Sequence, residues 1–232
     1  MSVRYEQLGN IAVITLDDGK ANALSYGLMD AAEEALARAG REAAAVVLTG
    51  RAGRFSAGFD LREMMAGAEQ ARSLVARGAE FLMRLYALPM PLVVACSGHA
   101  LAGGALTVLT GDVRVGVEGP FKIGLNEVQI GMPLPILAME LARDRLRPEY
   151  LTRATLFAEL ADPATALGWG YLDEVVAAEL LLPTAITHAT TLAALSKDAY
   201  AKTKMALRER TIQYVRSTLA EDMRRLTPPA AK

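Results

Sequence analysis

Three short and largely apolar runs, residues 45–48 (AVVL), 92–96 (LVVAC) and 113–117 (VRVGV), each lead into a glycine-containing loop. Runs this short lack both the length of a core helix and the strict alternation of a strand with one wet face. They read as strands buried on both faces. Between the first two lie residues 60–65 and a longer stretch, 69–88, in which Val75, Ala79, Leu82 and Leu85 fall on one helical face. Doubly buried strands alternating with helices make an α/β fold.

The flanks extend that pattern. Residues 4–8 and 11–16 surround Gly9-Asn10, the signature of two strands joined by a hairpin turn, so the chain opens antiparallel. From Ser25, a suitable N-cap, Leu28, Ala32, Ala35, Leu36 and Ala39 recur at helical spacing up to Gly40. After Pro133 the chain reads almost wholly helical, apart from Val175-Val176. Charges from 196 to 226 are interleaved with Met205, Leu207, Ile212, Val215 and Leu219, and the tail TPPAAK is expected to fray.

At 232 residues the chain can form one large domain or a domain with an appendage. Hydrophobic residues make up 52% of it, yet no run approaches the roughly 20 apolar residues of a membrane helix. That excess must be buried inside the subunit or between subunits. Net charge is −1 with no charged blocks, which favours a small-molecule substrate over nucleic acid or membrane. The first residues show neither a signal nor a transit pattern, so a cytoplasmic location is expected. Cys96, the single cysteine, lies within an apolar run and reads as a buried bystander. His99 and His188 are too few and too far apart for a helical zinc pair, so no metal site is expected.

Two loops carry the chemistry. FSAGFDLREM, residues 55–64, follows a buried strand, and Asp60 with Glu63 has the spacing of an acidic N-cap with Glu at N3. The peptide groups around Phe59 then sit at a helix start, and Gly58 permits a sharp turn there. SGHALAGGAL, residues 97–106, follows another buried strand, with Gly103-Gly104 opening a helical run to Thr110. Two free N–H groups aimed at one point would stabilise charge developing on a carbonyl oxygen. Each loop alone reads equally as an ordinary strand-to-helix turn. Dinucleotide, P-loop and nucleophile-elbow signatures are all absent.

The order of segments NALS at Asn22, VVLTG at Val46, FSAGFDLREM, SGHALAGGAL and IGLNEVQIG at Ile123 resembles the crotonase (enoyl-CoA hydratase/isomerase) family over nearly the whole chain. The resemblance implies an α/β spiral of repeated β-β-α turns over residues 1–187, then a C-terminal helical region, 188–232, that builds a homotrimer or homohexamer. It implies that the backbone N–H groups of Phe59 and Gly103 hold a thioester oxygen. Coenzyme A, as part of an acyl-CoA substrate rather than a cofactor, would be wrapped by Ala57, Gly58, Phe59, Asp60, Leu61 and Arg62, with Lys20, Ala21, Ala23 and Leu24 opposite and Gly103 and Asn126 alongside.

Glu127, set among Ile123, Leu125, Val128 and Ile130, is a carboxylate whose apolar setting would make it a stronger base. From the residues alone, Asn126 could instead cap a short helix whose dipole Glu127 complements. The resemblance makes Glu127 the catalytic glutamate. Hydratases of the family carry a second glutamate three residues after the position of Gly103, where this chain has Leu106. One carboxylate suffices to move a double bond, and the motif wording is similar to the mitochondrial-type enoyl-CoA delta-isomerases, so isomerisation of 3-enoyl-CoA to 2-enoyl-CoA is expected. MPLPIL, residues 132–137, replaces a glycine-rich segment of the hydratases and leaves hydration, decarboxylation or thioester hydrolysis as alternatives. A catalytically silent acyl-CoA-binding assembly protein is the remaining one. Met64, Met65, Met132 and Leu134 are candidate walls of the acyl pocket.

Overall fold

The structure is a computed structural model that describes residues 2–227; most of the TPPAAK tail lies outside the described residues. The hairpin comes first: β1 (Val3–Leu8) runs antiparallel to β2 (Ile11–Leu16). Helix α1 (Tyr26–Glu42) follows, with the Ser25 side chain accepting from the Leu28 N–H as anticipated. Three strand–strand–helix units come next: β3 (Ala45–Gly50), β4 (Gly53–Ser56), α2 (Leu61–Met65) and α3 (Ala68–Tyr86); β5 (Leu92–Cys96), β6 (Gly98–Leu101) and α4 (Gly103–Leu109); β7 (Val113–Val117), β8 (Ile123–Gly124) and α5 (Ile136–Arg145). The remainder is α6 (Leu151–Thr155), α7 (Pro163–Trp169), β9 (Glu174–Val176), α8 (Leu181–Ala193) and α9 (Lys197–Arg225).

Each unit places its first strand in one sheet and its second in another. The larger sheet has the order β1-β2-β3-β5-β7-β9, parallel from β2 onward, and the smaller has β4-β6-β8. The three apolar runs are the central strands of the larger sheet. Each is apolar on both sides because each face is covered. Ala12, Ile14, Val46, Leu48, Leu92 and Val94 join the main core with α1 and α3, while Ile11, Val13, Val47, Val93 and Val115 form a second layer under Leu181, Ala185 and Ala189 of α8.

That second layer corrects the expected boundary. Position 187 lies inside α8, and α8 covers the sheet, so the helix belongs to the spiral and not to an appendage. Among the described residues only α9 follows, and it folds back across α3 and α5. An ion cluster anchors it. Asp112 receives Lys204 Nζ at 2.7 Å and Arg208 Nη2 at 2.8 Å, and it also caps the Leu92 N–H at 2.8 Å. Lys204 donates further to Met90 O and Arg208 to Tyr86 O.

Burial, partly offset by Asp112, pulls the Lys204 ammonium down to about 8. Removing one member of such a buried set leaves uncompensated charge. Asp112→Ala is therefore expected to cost about 3–5 kcal/mol in urea-induced unfolding, whereas Asp198→Ala, at an exposed pair with Lys202, should cost well under about 1 kcal/mol. Equal losses would show that the cluster does not anchor α9.

Candidate active site

The smaller sheet sets the geometry. Its strands are parallel, and after a one-residue register shift between Arg54 and Ser56 they place Ser56 beside Ala100 and Ala100 beside Ile123. The chain leaves all three strands at the same end, where open α/β sheets hold their ligands. Phe59, Gly103 and Glu127 each follow that row within four residues. The hydrogen bond from Ala102 N to Gly124 O, 2.9 Å, keeps the second and third loops together just beyond the strands.

The first two loops touch. Gly58 has φ 90°, and a Cβ built there would lie 2.8 Å from Leu101 O and 3.1 Å from Gly103 N. Glycine is thus required twice over, for its conformation and for the approach. On the other side, Leu24 N donates to Gly58 O at 2.8 Å and Ala57 N to Ala21 O at 3.0 Å, while Asp60 N reaches toward Leu24 O at 3.4 Å. This local parallel bridge uses the groups on either side of Phe59, so the Phe59 N–H points away from Leu24. No acceptor among the described residues takes it. Gly103 is the first residue of α4, and its N–H is likewise unmatched by any acceptor among them.

Two supports were not singled out from the sequence. Asn22, fully buried with φ 51°, donates its side-chain amide to Leu16 O, Arg54 O and Phe55 O, while its carbonyl receives the Ser56 hydroxyl at 2.7 Å. It ties the loop before α1 to the end of β4. Gly78 lies mid-helix in α3, and a Cβ there would lie 2.1 Å from Cε1 of Phe59. The missing side chain makes room for the Phe59 ring. A glycine inside an otherwise good helix, at a cost of about 1 kcal/mol, was the available signal.

Glu127 is 6% exposed, and burial pushes its carboxyl up to about 7. Its Oε2 is buried without a hydrogen-bond partner, as is Asn126 Oδ1. Asn126 therefore caps nothing with its side chain; the short 3-10 turn Val128–Ile130 that follows has no side-chain cap. The apolar surroundings also differ from the sequence expectation: Ile123 and Leu125 are buried, but Val128 is 44% exposed, and Met132 supplies buried surface nearby in the chain. Leu106 is buried at 1%, so no carboxylate stands at that position.

A scan with the model of the enoyl-CoA hydratase/isomerase family matches residues 6–230. The chain belongs to the enoyl-CoA hydratase/isomerase family. It is 34% identical over 169 residues to human mitochondrial enoyl-CoA delta isomerase 1, covering 72% of this chain and 56% of that protein. It is 30% identical over 126 residues to a probable enoyl-CoA hydratase of Bacillus subtilis, covering 53% and 48%. The matches thus span about half the length of these curated relatives. Among solved structures, an enoyl-CoA hydratase/isomerase family protein from Pseudomonas syringae superposes with a TM-score of 0.95 at 40% identity, covering 97% of this chain and 98% of that one. The human mitochondrial delta3-delta2-enoyl-CoA isomerase gives 0.92 at 29% identity, covering 97% and 90%. The spiral is the crotonase fold.

Of the residues expected to wrap coenzyme A, the structure joins 21–24 to 57–60 and Gly58 to Gly103. Leu24 and Gly58 are buried, Ala21, Ala23, Phe59, Asp60 and Asn126 are half-buried, and Lys20, Ala57, Leu61 and Arg62 form an exposed rim. Asp60 caps α2 through the Arg62 N–H. Of the candidate walls, Met64, Met132 and Leu134 are buried or half-buried, but Met65 is 60% exposed. A cavity of about 520 Å³ lies elsewhere, beneath α9 on the Asp112 cluster, and the strand-end geometry outweighs its size in locating the site. Cys96 is buried, its thiol pushed up to about 12 by burial. The two histidines have partners, His99 accepting from Lys122 N and His188 facing Glu174.

Gly58→Ala would push its Cβ against Leu101 O and displace the Phe59 N–H. Losing one such donor typically costs about 10²–10³ in rate, so turnover of acyl-CoA substrates should fall by that order with the thermal midpoint only modestly lowered. Unchanged turnover would remove this loop from the chemistry.

Proposed function

We propose that this protein isomerises 3-enoyl-CoA to 2-enoyl-CoA, with Glu127 as the single acid/base and the N–H groups of Phe59 and Gly103 as the oxyanion hole. The observation that carries this reading is one buried carboxylate with an unpartnered oxygen, on the loop beside two unmatched N–H groups, with leucine at position 106. The carboxylate removes a C2 proton, and the electron pair moves onto the thioester oxygen. Phe59 and Gly103 donate to that oxygen while the enolate lasts. The dienolate then takes the proton at C4 from the Glu127 carboxylic acid, restoring the carboxylate and leaving the double bond at C2–C3. Nothing enters or leaves.

Several features support a coenzyme A thioester as substrate. Residues 21–24 and 57–60 are bonded to each other through their backbones, which holds the two segments side by side next to the unmatched Phe59 N–H. Coenzyme A is then part of the substrate and no further cofactor is needed. Relatives named as hydratases keep a second reading in view: with water held by Glu127 alone, 2-enoyl-CoA would be hydrated. Exposed Leu156, Phe157 and Leu207 are surface that a homotrimer or homohexamer would cover.

Glu127→Gln keeps the shape but removes the proton carrier, a group commonly worth about 10²–10⁴ in rate. Turnover should fall by that order while CoA binding, followed by calorimetry, survives. Because the base form is required and the carboxyl sits at about 7, kcat/KM should rise with pH through neutrality and level off above it. Mass spectrometry of the product separates the readings: an isomer has the substrate's mass, whereas hydration adds a water. Predominant hydration of 2-enoyl-CoA by the wild type would overturn the isomerase assignment. Light scattering should give three or six times the 24.8 kDa subunit mass, and a monomer would refute the oligomer.

A further inference from the structure

Gly78 lies on the buried face of α3. Leu74, Val75, Phe81 and Leu82, its neighbours three and four residues away, are all buried, and so is Gly78 itself. Alanine would serve the helix better, since glycine is a poor helix former in mid-helix. What occupies the gap is the ring of Phe59. A methyl at position 78 would lie 2.1 Å from its Cε1 and 2.5 Å from its Cζ, with Cδ1 at 3.3 Å. The opposite edge of the ring meets a second glycine: a methyl at Gly103 would lie 3.3 Å from both Cδ2 and Cε2, and 3.0 Å from Cδ1 of the buried Leu24. One ring is thus wedged edge to edge between the middle of α3 and the start of α4.

The wedge bears on the direction of an N–H group. In a trans peptide the C=O and N–H point opposite ways, and Gly58 O accepts from Leu24 N at 2.8 Å, so the Phe59 N–H faces away from Leu24. That peptide hangs on Gly58, a residue type with an unusually free backbone, and the next tether, Asp60 N to Leu24 O, is long at 3.4 Å. The side chain of Phe59 supplies a further hold. A ring fixed at both edges fixes the Cα–Cβ bond, and with it the rotation of the peptide about the N–Cα bond. We propose that Gly78 is a positioning residue for the oxyanion hole: its missing side chain lets the Phe59 ring lock against α3, and the locked ring aims the Phe59 N–H. This rests on the reading of the Phe59 and Gly103 N–H groups as donors to a thioester oxygen.

The same contacts identify the change that undoes the damage. Gly78→Ala places a methyl where Cε1 and Cζ now lie, so the ring must leave and the N–H turns with it. Phe59→Leu removes both of those atoms and keeps a branched carbon near the third, whose contact at 3.3 Å can give by a few tenths of an ångström. Alone it leaves a gap beside Gly78 and a loosened loop. Combined with Gly78→Ala, the new methyl fills that gap and the backbone of residue 59 is held again.

The test measures kcat and KM with 3-enoyl-CoA for wild type, Gly78→Ala, Phe59→Leu and the double variant, together with the infrared carbonyl stretch of bound 2-enoyl-CoA labelled with heavy carbon at the thioester. Donors aimed at the oxygen lower that stretch. In Gly78→Ala, kcat should fall by about 10²–10³, the loss of one such donor, with KM changed far less and the stretch moved to higher frequency. Phe59→Leu should lose less, and the double variant should recover to within about tenfold of wild type, a small loss beside that of a donor. A double variant as slow as Gly78→Ala, or Gly78→Ala with full kcat and an unmoved stretch, would overturn the proposal. If Gly78→Ala does not unfold cooperatively, the double variant decides alone: it must fold and reach the recovered rate, and failure in either overturns the proposal. In wild type the stretch should lie below that of free 2-enoyl-CoA in water. If it does not, the reading of the two N–H groups fails and this one with it; if it does and Gly78→Ala leaves it in place, only the role of Gly78 fails.

Discussion

Everything functional in this molecule depends on how closely backbone can approach backbone at the ends of three short parallel strands. A Cβ at Gly104 would lie 2.3 Å from Ser56 O, and one at Gly98 would lie 2.1 Å from the carbonyl carbon of Gly53. Real side chains cannot occupy those positions, so glycine lets α4 and β6 close onto β4. The same closeness brings the loop of Phe59 against the loop of Gly103, and the register of β8 brings Glu127 to the same edge. The large sheet provides the rigidity and the small sheet provides the address.

The chain buries ionisable groups in two ways with different consequences. Around Asp112 the charges are opposed at 2.7 and 2.8 Å and further satisfied by backbone carbonyls, so the cluster spends its electrostatics on holding α9. Glu127 has no such counter-charge, and its carboxyl is displaced to about 7 by burial. A group in that condition can exchange a proton near neutral pH, which a well-paired carboxylate cannot. Unopposed burial is what separates Glu127 from the paired Asp112.

Much of this was legible in the amino-acid sequence, for reasons that can be named. The central strands stood out because burial on both faces leaves an apolar run, and α1 and the Asp60 cap stood out because capping has a local chemical signature. Strands β4, β6 and β8 did not, since they are two to four residues long and hold glycine, serine and histidine, so the residues alone read as loops. The placement of α8 was missed because its boundary carries no break in composition. The burial of Glu127 was legible only in part, since Ile123 and Leu125 are buried beside it while Val128 is exposed.

The central claim is that a C2 proton is removed by one carboxylate while two backbone N–H groups hold the thioester oxygen. A 3-enoyl-CoA carrying two deuterium atoms at C2 tests it most directly, with the product analysed by mass spectrometry and nuclear magnetic resonance. The account predicts 2-enoyl-CoA without added water, one deuterium lost from C2, and a share of it delivered to C4. Product that retains both deuterium atoms at C2 would contradict it, because no enolate could then have formed.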